Sequence, residues 1–312
     1  MSNWAKVFLP MVCALFFAAQ AQAQITNSST TVADAFLATG SPDNPVGTDL
    51  TGLNFGAAGT LAIAPALADK GGFQSVIRFN FANAIAVFNS TYGTNAWTIT
   101  GISLTLTSNY GTAGVQPNNK IFNTINGGNF VAEWISNDNW VEGTGTPALP
   151  TTDGVTCDSL PDLMSGAHEI LSTNTYSPPG NNVPVNYSLP LDANLLAEIE
   201  SGGDMSLLFY AADNQVGYLF NSHEYGRGNQ PLINVVAAPL LKILSGNLTN
   251  GVFHLIGIGG ANLQFQVQAN SDLTTTNWQT LGTVTACTNG VIEFDDTTVA
   301  GQQRFYRFYQ SH

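Results

Sequence analysis

The chain has 312 residues, 44 % of them hydrophobic and only 9 % charged, and its 8 basic against 21 acidic side chains leave a formal net charge of −13 at pH 7. Soluble domains usually carry about 25 % charged residues, so solubility here rests on Asn, Thr, Ser and Gly, and so few cations offer no footprint for a phosphate backbone or an anionic lipid surface. Nucleic acid is excluded as an expected partner, and the length suffices for two modest domains, each with its own core.

In chain order, Lys6 opens an apolar run from Val7 to Ala19 that closes on Ala21-Gln22-Ala23, an A-x-A signature followed by Gln24. This is the pattern of a secretory signal peptide, and the run is shorter than the ~18–20 residues of a spanning helix. No second run of that kind follows. The expected product is cleaved near Ala23, secreted to the extracellular space or cell surface, and free of a membrane span.

From 24 to 239 the dominant signal is period-two alternation broken by Gly, Asn and Pro. Ser75 to Phe81 sets Val76, Ile77, Phe79 and Phe81 around Arg78, and Ile102, Leu104 and Leu106 alternate with Ser103, Thr105 and Thr107. Met205 to Ala212, Gly217 to Asn221 and Leu232 to Ala237 are further predicted strands. Two short helices interrupt them, Ala82 to Phe88 and Ala193 to Ile199, the second with Asp192 as N-cap and Gly202-Gly203 as its stop. Between Trp140 and Leu171 the chain is rich in Gly, Pro and Thr, yet Trp140, Leu160, Leu163 and Ile170 give it apolar contacts of its own, which predicts a long ordered loop.

After Ala237-Ala238-Pro239 a second series of strands is predicted: Leu240 to Leu244, Gly251 to Ile256, Leu263 to Ala269, Trp278 to Val284, Gly290 to Phe294 and Arg304 to Tyr309. Asn250-Gly251, Gly259-Gly260 and Asn289-Gly290 mark the turns. The expected fold is all-β, a β-sandwich at 24–239 followed by a smaller β domain at 240–312. Cys157 and Cys287 then fall in different domains, so two separate buried thiols are expected, and no Cys/His pair has zinc spacing.

Motifs of reaction chemistry are sparse. His168-Glu169 and His223-Glu224 are the only His–carboxylate neighbours, neither lies in H-E-x-x-H, and on a strand adjacent side chains point to opposite faces, which predicts no shared site. Gly257-Ile258-Gly259-Gly260 sits between predicted strands and reads as a turn, not a phosphate cradle. Asp34, Asp138, Glu142, Asp153, Asp158, Asp213 and Glu224 offer carboxylates for glycoside hydrolysis, but no pair stands out. Asp34 with Asp213 or Glu224 offers oxygens for a structural calcium, without a continuous ligand loop, so no cofactor is expected. Trp97, Trp134 and Trp278 sit among apolar neighbours and are expected in the core. Trp140, Tyr225 and Arg227 sit in or beside loops and are the candidate ligand-binding residues, a ring face for a sugar with polar partners to orient it.

Thr31-Val32-Ala33-Asp34-Ala35-Phe36, Leu53-Asn54-Phe55-Gly56 and Ser75-Val76-Ile77-Arg78-Phe79 resemble the first half of the DNRLRE family of secreted, carbohydrate-binding-module-like β-sandwiches. Leu219-Phe220-Asn221-Ser222-His223-Glu224-Tyr225-Gly226 and Gln230-Pro231-Leu232-Ile233-Asn234-Val235 resemble its closing strands. Asn139-Trp140-Val141-Glu142-Gly143 is similar to a segment of exported bacterial surface proteins. The resemblance spans roughly 30–238, and the remainder resembles the fibronectin- or immunoglobulin-like modules that end such proteins. It implies a jelly roll with a non-catalytic role in the envelope or extracellular space and supplies no ligand; the first functional expectation is a module that binds polysaccharide or a cell-surface glycan or mediates adhesion. The chain stops at His312 without an apolar helix and basic cluster, so a sorting tail is not implied. The rival expectations are a self-associating matrix or surface-coat component and a polysaccharide-degrading enzyme.

Overall fold

Alternation in the sequence becomes strand over most of the chain. The computed structural model describes residues 24–43, 46–66, 71–109, 127–226, 228–299 and 303–310; the expected signal peptide at 1–23 and the candidate Arg227 lie outside them. Strand accounts for 49 % and helix for 9 %, so the protein is an all-β sandwich. It forms two units, one of Thr26–Ala86 with Ile99–Val236, the other of Val87–Thr98 with Ala237–His312.

The elements of the first part are β1 (Ile25–Ser28), β2 (Thr30–Ala38), β3 (Gly40–Asp43), β4 (Val46–Asp49), β5 (Thr60–Ile63), β6 (Phe73–Asn80), α1 (Ala82–Tyr92), β7 (Trp97–Thr107), β8 (Gly128–Ile135), α2 (Leu160–Leu163), β9 (His168–Tyr176), β10 (Pro184–Leu189), α3 (Ala193–Ser201), β11 (Asp204–Ala211), β12 (Tyr218–Asn221) and β13 (Leu232–Pro239). One sheet has the order β1-β13-β7-β10, a second β2-β6-β11-β8-β9, and β12 pairs with β5. β2 is therefore an edge strand.

The middle of the five-stranded sheet is buried on both faces, as the near-continuous apolar runs of β6 and β11 require. Against one face packs an aromatic cluster in which Phe130 meets Tyr187 edge-on at 5.0 Å and Tyr176 stacks on Tyr218 at 3.7 Å. Against the other packs the 137–167 segment, whose Trp140, Val155 and Leu163 share a core with Ala33, Ala35 and Leu37 of β2, Val76, Ile135 and Leu208. The expected long loop is thus a third layer, closed by apolar burial. The helices follow their local signals. Asp192 accepts from the amides of Asn194 and Leu195 at the start of α3, and Gly202, at φ +72°, ends it in the left-handed conformation that glycine adopts without penalty.

The second part holds β14 (Lys242–Thr249), β15 (Val252–Ile258), β16 (Gln264–Asn270), β17 (Gln279–Thr285), β18 (Val291–Asp296) and β19 (Phe305–Tyr309). Two three-stranded sheets, β14-β15-β18 and β17-β16-β19, enclose Phe253, Leu255, Phe265, Val267, Ile292, Tyr306 and Phe308. Asn250-Gly251 turns with both residues at positive φ, the hairpin geometry that joins β14 to β15. Both thiols are free, Cys157 half-buried and Cys287 exposed, the latter against the expectation of burial. No helix among the described residues is long and apolar enough to cross a membrane.

Candidate functional site

Three segments far apart in the sequence meet at the free edge of β2. The Asp34 N–H has no strand to donate to on that side, and it donates instead to Glu142 Oε1 at 2.6 Å. The Asp34 carboxylate, fully buried, accepts from the His223 N–H at 2.7 Å through Oδ2. His223 Nδ1 lies 3.3 Å from that same oxygen and 3.2 Å from Glu142 Oε1, and Nε2 sits 2.8 Å from Glu224 Oε1. One donor atom from each of the four side chains falls within 4.8 Å of the others.

Glu142 is held there by Asn54, which is wholly buried. The Asn54 amide nitrogen donates to the carbonyls of Glu142 at 2.6 Å and Val155 at 2.9 Å, while its oxygen accepts from the amides of Gly56 at 3.0 Å and Gly145 at 3.1 Å. All four hydrogen-bonding positions of one side chain are used on backbone. Gly143, at φ +83°, lies so close to this amide that a Cβ would collide with it. Two residues before Glu142, Trp140 anchors the same stretch of loop: its Nε1 donates to Ser206 Oγ at 2.9 Å, and Arg78 donates to its carbonyl at 2.9 Å with the guanidinium 5.1 Å from the ring centre.

The electrostatics follow from putting three carboxylates around one imidazole in a half-buried setting. The Asp34 carboxylate beside Nδ1, and then the Glu224 carboxylate at Nε2, push the His223 pKa up to about 10. Burial, reinforced by Glu224, raises Asp34 to about 6, and burial with the neighbouring carboxylates raises Glu142 to about 7. Burial also works against Glu224, but hydrogen bonding to His223 holds it below its ordinary value. Negative charge thus exceeds what one imidazolium balances.

The structure places the expected site residues differently from one another. Trp140 is only 8 % exposed, a core residue that shows part of itself on the wall of an open groove of about 480 Å³. Tyr225 is half-buried in the turn that follows Glu224, and Arg227 lies outside the described residues. Among the tryptophans expected in the core, Trp134 is buried with its Nε1 on Glu198 at 2.6 Å, whereas Trp278 is partly exposed beneath Arg307, 4.2 Å from its ring centre. Asp213 does not join Asp34; its carboxylate accepts from the amides of Asn129, Gln215 and Val216.

The expectation that adjacent His and Glu cannot share a site holds for one pair and fails for the other. On β9, His168 turns to Glu133 at 2.7 Å and Glu169 to Asn194 at 3.1 Å. His223 and Glu224 instead lie in a turn just past β12, where alternation no longer applies, and their side chains meet. Asp34, Glu142 and Glu224 all stood among the acids of the sequence, but their convergence had no local signal.

No family model matches the chain, and no curated protein matches it. Similar solved structures include a Ruminococcus gnavus β-glucuronidase in complex with uronic isofagomine, 8 % identical over 90 % of this chain and 44 % of that one, with a TM-score of 0.23. A second structure of that enzyme is 7 % identical over 94 % and 45 %, with a TM-score of 0.22. A native α2-macroglobulin from Escherichia coli spanning domains NIE-MG1 is 14 % identical over 60 % of this chain and 84 % of that one, with a TM-score of 0.13. The chain spans less than half the length of the two β-glucuronidase chains, and at these scores the likeness carries no argument.

Proposed function

We propose that the chain is an exported, non-catalytic binding module that holds polysaccharide, or a glycan of a cell surface, in the groove beside the 137–163 loop. The observation that supports this is the groove itself: about 480 Å³, open to solvent, with Asn137, Asn139, Thr152 and Asp162 offering amide, hydroxyl and carboxylate groups beside the apolar surfaces of Trp140 and Val141. Amides and acids placed around a small apolar wall suit sugar hydroxyls and the C–H face of a pyranose ring. The wall is fixed before any ligand arrives, because Trp140 is locked by Ser206 and Arg78, and a preformed site spares ordering entropy on binding. A fully buried Asp34 cannot reach a glycosidic oxygen.

The test is retention of the untagged protein on cellulose, chitin and insoluble xylan. The wild type is expected to be retarded on at least one matrix, and Asn139→Ala with Asp162→Ala to weaken retention about tenfold, the worth of two hydrogen bonds. Trp140→Ala is a poor probe, since it would empty the core beneath the loop. Free passage of the wild type through all three matrices would remove the proposal.

A further inference from the structure

We propose that Asp34, Glu142 and the Nδ1 of His223 form a binding site for one divalent cation of the zinc class, with Glu224 as the carboxylate that orients the imidazole from its other nitrogen. The observation that takes this beyond a group of acids is Asp34 Oδ1. It belongs to a side chain with no exposed surface, and it has no hydrogen-bond partner. A buried carboxylate oxygen left in that state costs free energy unless some cationic group reaches it. Glu224 Oε2 and His223 Nδ1 are likewise enclosed and without a hydrogen bond, although Nδ1 faces two carboxylates at ion-pair distance.

The separations of Nδ1 from the two acids match those between ligands of one ion. Ligands of a tetrahedral zinc stand at about 2.0–2.2 Å from the ion, which puts neighbouring ligand atoms roughly 3.2–3.6 Å apart. His223 Nδ1 lies 3.3 Å from Asp34 Oδ2 and 3.2 Å from Glu142 Oε1, yet it is not aligned to bond to either. On the far side of the ring, Nε2 is 2.8 Å from Glu224 Oε1, a normal hydrogen-bond length. A proton fixed on Nε2 by a carboxylate leaves the Nδ1 lone pair facing the other two acids, the arrangement by which metal-binding histidines are held in tautomer and orientation. The ion replaces the Nδ1 proton as the positive charge between Asp34 and Glu142.

The donor set selects the ion. Calcium takes six to eight oxygen donors, and an imidazole is a poor substitute for one. Two carboxylates and one imidazole suit zinc, with a solvent molecule completing the shell from the side where Glu142 and His223 are about a quarter exposed. The site ties the edge of β2 to the loop and to the turn after β12, so the ion acts as a clasp on the sandwich, at residues separate from the groove proposed to take glycan.

The test uses untagged full-length protein, freed of metal with a chelator and dialysed, then titrated with Zn²⁺ by calorimetry at neutral pH. One equivalent is expected to bind with micromolar or tighter affinity and to raise the melting temperature. Glu142→Gln is expected to weaken binding at least 30-fold, and Glu224→Gln by about 10-fold, in the range found when the partner of a metal-bound histidine is removed. His168→Ala and His254→Ala, which break the His–carboxylate pairs elsewhere, are expected to leave the affinity unchanged. Circular dichroism establishes that each variant is folded, and Co²⁺ bound to the unmutated protein gives a visible absorption band that reports nitrogen and oxygen ligation without any substitution. Absence of a one-equivalent Zn²⁺ isotherm, a preference for Ca²⁺ over Zn²⁺, or a folded Glu142→Gln that binds as the wild type does would overturn the assignment.

Discussion

Replacing Asn54 by alanine is expected to be among the most damaging single changes in the first unit, although the side chain is small and uncharged. Four backbone partners lose their hydrogen bond at once: the carbonyls of Glu142 and Val155 and the amides of Gly56 and Gly145. Gly56, Gly145 and Val155 are themselves buried, so water does not replace what is removed. At about 1 kcal/mol for each lost bond, and more for a buried group left unsatisfied, the change should cost about 3–5 kcal/mol. That is a large part of the ~5–15 kcal/mol that holds a typical protein folded. Urea unfolding followed by tryptophan fluorescence measures the loss, and amide hydrogen exchange should show the 141–156 segment opening well below global unfolding. Asn54→Asp should rescue nothing, because it sets a carboxylate oxygen against the same two carbonyls. A loss under about 1 kcal/mol, with unchanged exchange in the loop, would mean that Trp140, Val155 and Leu163 alone hold the segment by apolar packing.

Two further substitutions probe other parts of the chain. Burial raises the Glu198 carboxyl to about 7 from an ordinary 4.5, against the lowering effect of the Trp134 hydrogen bond. Between pH 4.5 and 7 the unfolded chain therefore gives up this proton while the folded one keeps it, so stability falls as pH rises through that window. Discounted for a half-exposed group, the loss is about 1 kcal/mol; Glu198→Gln should remove that slope, and denaturant midpoints measured from pH 4 to 8 that stay parallel for the two proteins would contradict it. In the second unit, the buried Asp296 carboxylate accepts from Arg304 at 2.7 Å and from the Tyr306 hydroxyl at 3.0 Å. Arg304→Ala strands that charge and should cost about 2–4 kcal/mol in thermal unfolding of the protein, whereas the double change with Asp296→Asn should recover part of it; equal losses for the single and double variants would show that the ion pair is not what matters.

The strands were legible because their pattern is local. β16 reads off Phe265, Val267 and Ala269 alternating with three glutamines, and these three are the ones buried against Phe253 and Tyr306. Asp192 and Gly202 bounded α3 for the same reason, each acting on amides or carbonyls within a turn of itself. What the sequence hid was set by distance along the chain. Asn54 carries no mark in Leu53-Asn54-Phe55-Gly56; its role is visible only once Gly143 and Gly145 are seen crowding against it from 90 residues away. Trp140 sits amid glycines and polar residues and reads as a loop aromatic, but the loop folds down and inserts it over Ala33 and Ala35. His223 and Glu224 were misjudged by applying strand alternation two and three residues past the end of a strand.

The meeting of Asp34 with Glu142 and His223 joins positions separated by 108 and 189 residues. Closing contacts of that sequence range costs more chain entropy than closing local ones, so the pocket at the edge of β2 depends on the packed chain between its residues. Withdrawing an ion held there should loosen three remote stretches of backbone together, giving proteases simultaneous access to places that no stretch of sequence connects.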